Sequence, residues 1–83
     1  MMIEKTKEMV NEALNFLTRA KIEEWRFYSF DINLTCSEIR IQGNFQSFVS
    51  ARLKELGLNP EIDASGFIMF RTKETFPICI ILT

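Results

Sequence analysis

The sequence predicts an α+β domain: a small two-layer sandwich with two helices on one face of an antiparallel four-stranded sheet. Two stretches, near the start and in the middle of the chain, have the helical spacing of apolar residues. Two pairs of strand-like segments are each joined by a short turn, and no Pro- or Gly-rich linker divides the 83 residues. The predicted order is therefore αββαββ, with residues 1–83 forming a single domain.

The composition favours a globular protein and argues against several kinds of function. Hydrophobic residues make up 47 % of the chain, including eight Phe, which is too apolar for a disordered segment. The net charge of −1 gives no sign of the basic face that most nucleic-acid binders carry. The chain has no histidine, which excludes histidine-based catalysis, and its two cysteines cannot by themselves form a four-ligand zinc site. We expect no bound metal and no cofactor.

The chain also lacks the apolar segments that direct proteins to membranes. The first residues do not resemble a signal peptide, and no stretch reaches the ~18 apolar residues that a membrane span needs. We therefore expect a cytoplasmic protein with reduced thiols and no membrane contact.

The first helix is predicted from Ile3 to Lys21, ending near Ile22. Its apolar residues lie on one arc of the helical wheel, widened on one side by Met9 and Phe16. The residues of that arc are Ile3, Thr6, Val10, Ala13, Leu14, Leu17 and Ala20. Charged and amide residues occupy the opposite side, which is typical of a solvated face.

The first hairpin is predicted from two segments, Trp25–Leu34 and Glu38–Gln42, joined by the turn residues 33–37. Strict alternation in the first segment would place Trp25 and Phe27 on the side of the sheet away from the helices. The residues alternating with them, which should face the helices, are Tyr28, Phe30, Ile32 and Leu34. In the second segment Ile39 and Ile41 should face the helices as well.

The second helix is predicted from Phe45 to Leu56. Gly43-Asn44 precedes it and has a weak resemblance to a phosphate-binding turn, but the simpler interpretation is that Asn44 caps the helix. Gly57 should end the helix, with Leu58 folding back on Leu53.

The rest of the chain predicts a second hairpin, formed by Phe67–Thr72 and Phe76–Leu82. Glu61–Asp63 is compatible with an additional short edge strand. Pro77 lacks a backbone N–H, so it should lie near a strand start or at an unpaired edge.

Arg52 is the least expected residue, because it falls inside the apolar arc of the second helix. In one interpretation its stem packs on the core and its guanidinium meets a carboxylate. In the other, Arg52 points into a cleft between the helices and binds an anion. The sequence favours the first, since long side chains often carry their charged ends to the surface.

The cysteines and carboxylates do not form a recognisable catalytic set, so we expect a protein that is not an enzyme. Cys79 lies in an apolar strand and should be buried, whereas Cys36 lies in a turn and is the better candidate for a reactive thiol.

The strongest functional signal is the sheet face opposite the helices. Phe67–Phe70 and Ile78–Leu82 are apolar at consecutive positions, as in strands buried on both faces. Either the chain itself or a partner covers this second face, and the short chain slightly favours a partner. The predicted contact residues are Trp25, Phe27, Met69, Cys79 and Ile81.

We therefore expect a small interaction module, acting as a regulator, adaptor or inhibitor, that binds a protein partner or forms a homodimer. The alternative is a single-stranded nucleic-acid-binding domain in which Trp25, Phe27 and other aromatic residues of the sheet stack on bases. In that hypothesis the phosphate contacts are Arg26, Arg40 and Arg71.

Overall fold

The computed structural model describes residues 2–73 and 75–83, which form two helices and a five-stranded sheet. The elements are α1 (Met2–Arg19), β1 (Phe27–Asn33), β2 (Glu38–Gly43), α2 (Ser47–Glu55), β3 (Glu61–Ile62), β4 (Ile68–Arg71) and β5 (Ile78–Leu82). The α+β class is confirmed. Over the described residues, no helix combines the length and the apolar content that crossing a bilayer requires.

The sheet is mixed and has the order β1-β2-β5-β4-β3, so the prediction of four antiparallel strands is wrong in detail. Both predicted hairpin pairings, β1 with β2 and β4 with β5, are antiparallel as expected. The chain leaves β2 through α2, and β3 and β4 lead back so that β5 lies beside β2 and runs parallel to it. The short strand β3 pairs with β4 at the far edge.

Both helices pack on the same face of the sheet, which agrees with the prediction. One core cluster joins Met9 and Phe16 of α1, Val49 and Leu53 of α2, and the inward-facing residues of the central strands. The inward-facing residues of β2 and β5 are Ile39, Ile41, Ile78, Ile80 and Leu82. Met69, Cys79 and Ile81 form a separate cluster on the opposite face.

The core-facing side of α1 differs from the predicted arc. Ile3 and Leu14 are 65 % and 48 % exposed, whereas Met9 is fully buried. Lys5 Nζ donates to the carbonyl of Leu34, and the carboxylate of Glu12 accepts from the backbone N–H of Phe76. Lys5 and Glu12 lie on the side of α1 opposite Ile3 and Leu14, and their contacts hold that side against the loops at Leu34 and Phe76. The helix therefore turns only part of its apolar arc towards the core.

A β-bulge in β1 overturns the predicted alternation at its start. Phe27 pairs with Gly43 but Ser29 pairs with Gln42, so Tyr28 is the additional residue and the register shifts there. Phe27 and Phe30 consequently share the helix side, where both pack against the core. Tyr28, expected to face the helices, is 59 % exposed.

Helix α2 begins at Ser47, later than predicted, and its N-cap residue is Gln46 without a side-chain cap. The prediction that Asn44 caps this helix is wrong. The N–H of Phe45 donates to the carbonyl of Thr83, which extends the pairing of β2 with β5 beyond Asn44. The chain is therefore still extended at the position where the cap was expected.

The C-terminal end of α2 agrees with the prediction. Gly57 has a positive φ of 86°, and the N–H of Leu58 donates to the carbonyl of Leu53. This is the hydrogen-bond pattern of a Schellman motif, in which a glycine readily takes the left-handed position.

Candidate interaction surface

The sheet face opposite the helices, here called the outer face, is arranged in two rows of side chains that run across the strands. The first row follows the strand pairings through Asp31, Arg40, Cys79 and Arg71. The second follows them through Ser29, Gln42, Ile81, Met69 and Glu61. Each row therefore has an apolar centre on β5 and polar or charged side chains towards the sheet edges.

The apolar centre of the outer face is small and well screened. Met69 is 8 % exposed, Cys79 is fully buried and Ile81 is 3 % exposed. Both described helices lie on the other side of the sheet, so this screening comes from neighbours on the outer face itself. The neighbours on the paired strands include Arg40, Gln42 and Arg71, whose long side chains can lie over an apolar surface with their polar ends in water.

Cys79 lies between groups of opposite charge. Its thiol donates a hydrogen bond to Glu38 Oε1 at 3.2 Å. Burial is the main cause that raises the pKa of Cys79 above its ordinary value of 9.0; Glu38 acts in the same direction and Arg71 against it. The thiol is therefore neutral at pH 7, in agreement with its role as a donor to the carboxylate.

Arg71 is the cation that interacts with Cys79, its partner on the neighbouring strand. Its interaction with the Cys79 side chain is the main cause that raises the pKa of Arg71, and Glu61 and Glu38 add to the shift. The guanidinium is charged at every physiological pH and is exposed at the edge of the first row. The outer face thus combines charges of both signs around its apolar centre.

Polar side chains are linked by hydrogen bonds at the β1 end of the outer face. Gln42 Nε2 donates to Tyr28 Oη at 3.2 Å, and Tyr28 Oη lies 3.1 Å from Thr83 Oγ1. In β1, Ser29 Oγ donates to Asp31 Oδ2 at 3.0 Å. These links fix Tyr28 and Asp31 in place at the edge of the face.

The five predicted contact residues do not share one surface. Met69, Cys79 and Ile81 lie together on the outer face, but the placement of Trp25 and Phe27 there is wrong. Trp25 is only 2 % exposed in the helix-side core, with its Nε1 donating to the carbonyl of Asn44 at 3.0 Å. The bulge at Tyr28 reverses the side of the sheet that strict alternation assigns to Phe27, whereas Trp25 precedes β1, so strand alternation does not apply to it. Trp25 and Phe27 therefore do not lie on the outer face, where the nucleic-acid hypothesis places them for stacking on bases.

Arg52 lines a shallow surface cleft of about 320 Å³ together with Lys21, Glu23, Glu24 and Phe48. Its Nη1 donates to the backbone carbonyl of Lys21 at 3.3 Å, so the acceptor is not the carboxylate that the structural interpretation expected. The charged side chains of the cleft are two cations and two carboxylates, a balance that gives an anion no clear preference for this cleft.

The two cysteines differ in exposure as the sequence predicts, with Cys36 exposed and Cys79 buried. The reactivity of Cys36 stays a prediction. Among residues 2–73 and 75–83, no three His, Cys, Asp or Glu side chains come together in a group that could hold a metal ion. Comparisons with family models, with curated proteins and with solved structures found no match for this chain.

The sequence did not indicate that carboxylates accompany the arginines of the outer face. The sequence patterns predict Arg40 and Arg71 only as phosphate contacts in the alternative hypothesis, and they do not single out Asp31 or Glu61. Alternation along β1 does place Asp31 on the outer side, but its position relative to Arg71 depends on β5 lying next to β2. That pairing joins distant parts of the chain and has no local signature.

Proposed function

We propose that this protein is a small non-enzymatic module that binds a protein partner through its outer face and acts as a regulator, adaptor or inhibitor. The observation that carries the proposal is that β5 has apolar side chains on both faces of the sheet, while on the outer face, among the described residues, only neighbouring side chains cover them. All five of its residues, Ile78–Leu82, are buried, although helices cover only one side of the sheet. A strand that is apolar on both sides is typical of a sheet with a layer on each face.

The chemical character of the outer face supports a protein partner over a nucleic acid. Protein interfaces combine an apolar centre with a polar rim, and Met69, Cys79 and Ile81 are surrounded by such a rim. Arg40 and Arg71 are the two basic residues of the rows, and carboxylates accompany them. A phosphate backbone would meet no excess of positive charge on this face.

The modest size of the apolar centre suggests reversible binding. A partner has to displace the long rim side chains before it contacts Ile81 and Met69, and ordering such a side chain costs about 0.5–1.5 kcal/mol. We place this activity in the cytoplasm, since a reducing compartment keeps thiols such as Cys36 and Cys79 free.

The proposal is tested by affinity capture from the host of this protein, with proteins identified and quantified by mass spectrometry. Three forms are compared: the wild type, Arg40→Glu on the outer face, and Lys7→Glu on exposed α1 as a control with the same charge change. We expect a protein, either a second copy or another chain, to be retained by the wild type and by Lys7→Glu but lost with Arg40→Glu. Retention that Arg40→Glu leaves unchanged, or retention of nucleic acid only, would contradict the proposal.

A further inference from the structure

We propose that the partner on the outer face is a second copy of this chain, related to the first by a two-fold axis parallel to the strands. This inference rests on the proposed function. The axis then lies between the parallel strands β2 and β5, in the middle of the four residues of the first row. A two-fold interface requires a surface that is complementary to itself, and the charges of the outer face meet that condition.

The argument follows from the order of charges along the first row. From β1 to β4 that row reads Asp31, Arg40, Cys79, Arg71. Rotation about the proposed axis lays β1 of one copy over β4 of the other. Asp31 of each copy then faces Arg71 of the second copy, so one interface contains two such pairs.

The distances in such an arrangement are within the reach of these side chains. Neighbouring strands are about 4.8 Å apart, which puts β1 and β4 each about 7 Å from the axis. Packed sheets lie about 10 Å apart, a gap that an arginine and an aspartate can span between them. Aligned sheets cross at about 30°, which displaces a residue at that radius by roughly 4 Å. A flexible arginine tolerates that displacement.

Neighbouring positions of the axis are disfavoured by like charges. An axis on β5 would lay β4 over β2 and bring Arg71 opposite Arg40 of the second copy. An axis on β2 would bring the two Arg40 side chains opposite each other. With the axis between β2 and β5, Arg40 faces Cys79 of the second copy. The Cys79 thiol is hydrogen-bonded to Glu38 of its own chain, so the carboxylate of Glu38 also lies near Arg40.

The second row adds no like-charge pair in the same arrangement, because each of its apolar residues faces an uncharged polar residue. Gln42 faces Ile81 of the second copy, and Ser29 faces Met69 of the second copy, because the same strands are superposed. The exposed apolar flank of α1, with Ile3 and Leu14, has Lys7 as its charged neighbour and offers no comparable self-complementary arrangement. The outer face is therefore the better surface for a second copy.

Sedimentation velocity of two complementary charge reversals tests the arrangement. In Asp31→Arg both facing residues are basic, and in Arg71→Asp both are acidic, so each variant alone should dimerise at least about tenfold more weakly than the wild type. An equimolar mixture should form a heterodimer of near wild-type affinity, since both facing pairs then have opposite charges. Glu8→Arg and Lys54→Asp change exposed residues by the same charges and should dimerise like the wild type.

The possible outcomes separate this inference from the proposed function. A wild-type dimer that both reversals leave intact, or a mixture that fails to associate, overturns the proposed axis. A dimer that is lost in Leu14→Lys but kept in Arg40→Glu assigns self-association to α1 instead. A wild type that stays monomeric at millimolar concentration overturns the second copy as partner, while the capture experiment with Arg40→Glu then decides the proposed function. Circular dichroism of each variant verifies that it is folded.

Discussion

The indole ring of Trp25 occupies the space that a side chain at Gly43 would fill. A Cβ atom at position 43 would lie 2.6 Å from Trp25 Cζ2 and 2.8 Å from the Cα of Phe27. Gly43 is the last residue of β2 and pairs with Phe27 on one side and Leu82 on the other. Because position 43 has no side chain, the indole ring of Trp25 can pack against the backbone of Gly43, and its Nε1 can donate to the carbonyl of Asn44.

Gly43→Ala should therefore destabilise the protein, because the added methyl group collides with backbone as well as with the indole ring. We expect a loss of about 1–3 kcal/mol in the free energy of unfolding, the range found for overpacked cores. Urea unfolding followed by Trp25 fluorescence measures it. Gly66→Ala is the control, since a Cβ there has open space and only the positive φ of 85° opposes it. A loss below about 0.5 kcal/mol for Gly43→Ala, the range usual for surface substitutions that disturb no packing, would show that Trp25 moves aside freely.

The two helices end in the same hydrogen-bond pattern with different residues at the left-handed position. At the end of α1, Ile22 N–H donates to Leu17 O and Lys21, with φ 59°, takes the position that Gly57 has after α2. Lys21→Gly should stabilise the protein by about 0.5–1 kcal/mol because glycine adopts this conformation without steric cost. The hydrogen bond from Arg52 persists, since its acceptor is the backbone carbonyl.

The matched control is Gly57→Ala, which should destabilise the protein by roughly 1 kcal/mol through the same conformational effect. Its site has no atom within 4 Å of a built Cβ, so packing does not contribute. Thermal unfolding measures both variants. A stability unchanged or lowered in Lys21→Gly would contradict this explanation of the helix end.

The raised pKa of Cys79 predicts a loss of stability in alkaline solution. The folded state holds the thiol proton more tightly than the unfolded chain, whose cysteine titrates near 9.0. The stabilising contribution is complete below that pH and is lost as the pH rises through the folded-state pKa. The slope from this group approaches about 1.4 kcal/mol per pH unit in that interval.

Urea unfolding under reducing conditions between pH 8 and pH 11 measures this effect. Cys79→Ala removes the titrating group, so its stability should decline less steeply over the same range. Parallel curves for the wild type and Cys79→Ala would mean that the Cys79 thiol does not contribute to the alkaline loss.

The difference in exposure between the two cysteines predicts selective labelling of the native protein. Cys36 is exposed in the turn after β1, where Asn33 Oδ1 accepts from its backbone N–H, so a thiol reagent reaches it directly. Cys79 should react only when the chain opens, at a rate slower by at least about a hundredfold given the free energy of opening. Mass spectrometry after limited labelling distinguishes the sites, and equal modification of both cysteines would contradict the assignment.

Most local features of this fold follow from short-range sequence patterns. The alternation around Ile39 and Ile41 predicts β2, the apolar run Ile78–Leu82 predicts a central strand, and Gly57 predicts the end of α2. Each of these signals is contained within a few residues.

The features that were missed depend on contacts between distant residues or on a single inserted residue. The parallel pairing of Ile39 with Ile78 joins segments separated by α2 and the second hairpin, so the sequence carries no local sign of it. The bulge at Tyr28 turns Phe27 to the helix side, because a shift of one residue exchanges the two faces of a strand, and Trp25 enters the core from a position before β1. For the same reason only Met69, Cys79 and Ile81 of the predicted contact residues lie on the outer face.

The central claim, that two copies of this chain pair through their outer faces, is tested most directly by recording ¹H–¹⁵N spectra of the wild type over a wide range of concentrations. Self-association through this face should shift the backbone amides of Asp31, Arg40, Gln42 and Arg71 progressively as the concentration rises. The amides of α1 around Ile3 and Leu14 should stay in place. Shifts confined to α1, or spectra that do not change up to millimolar concentration, would contradict the account.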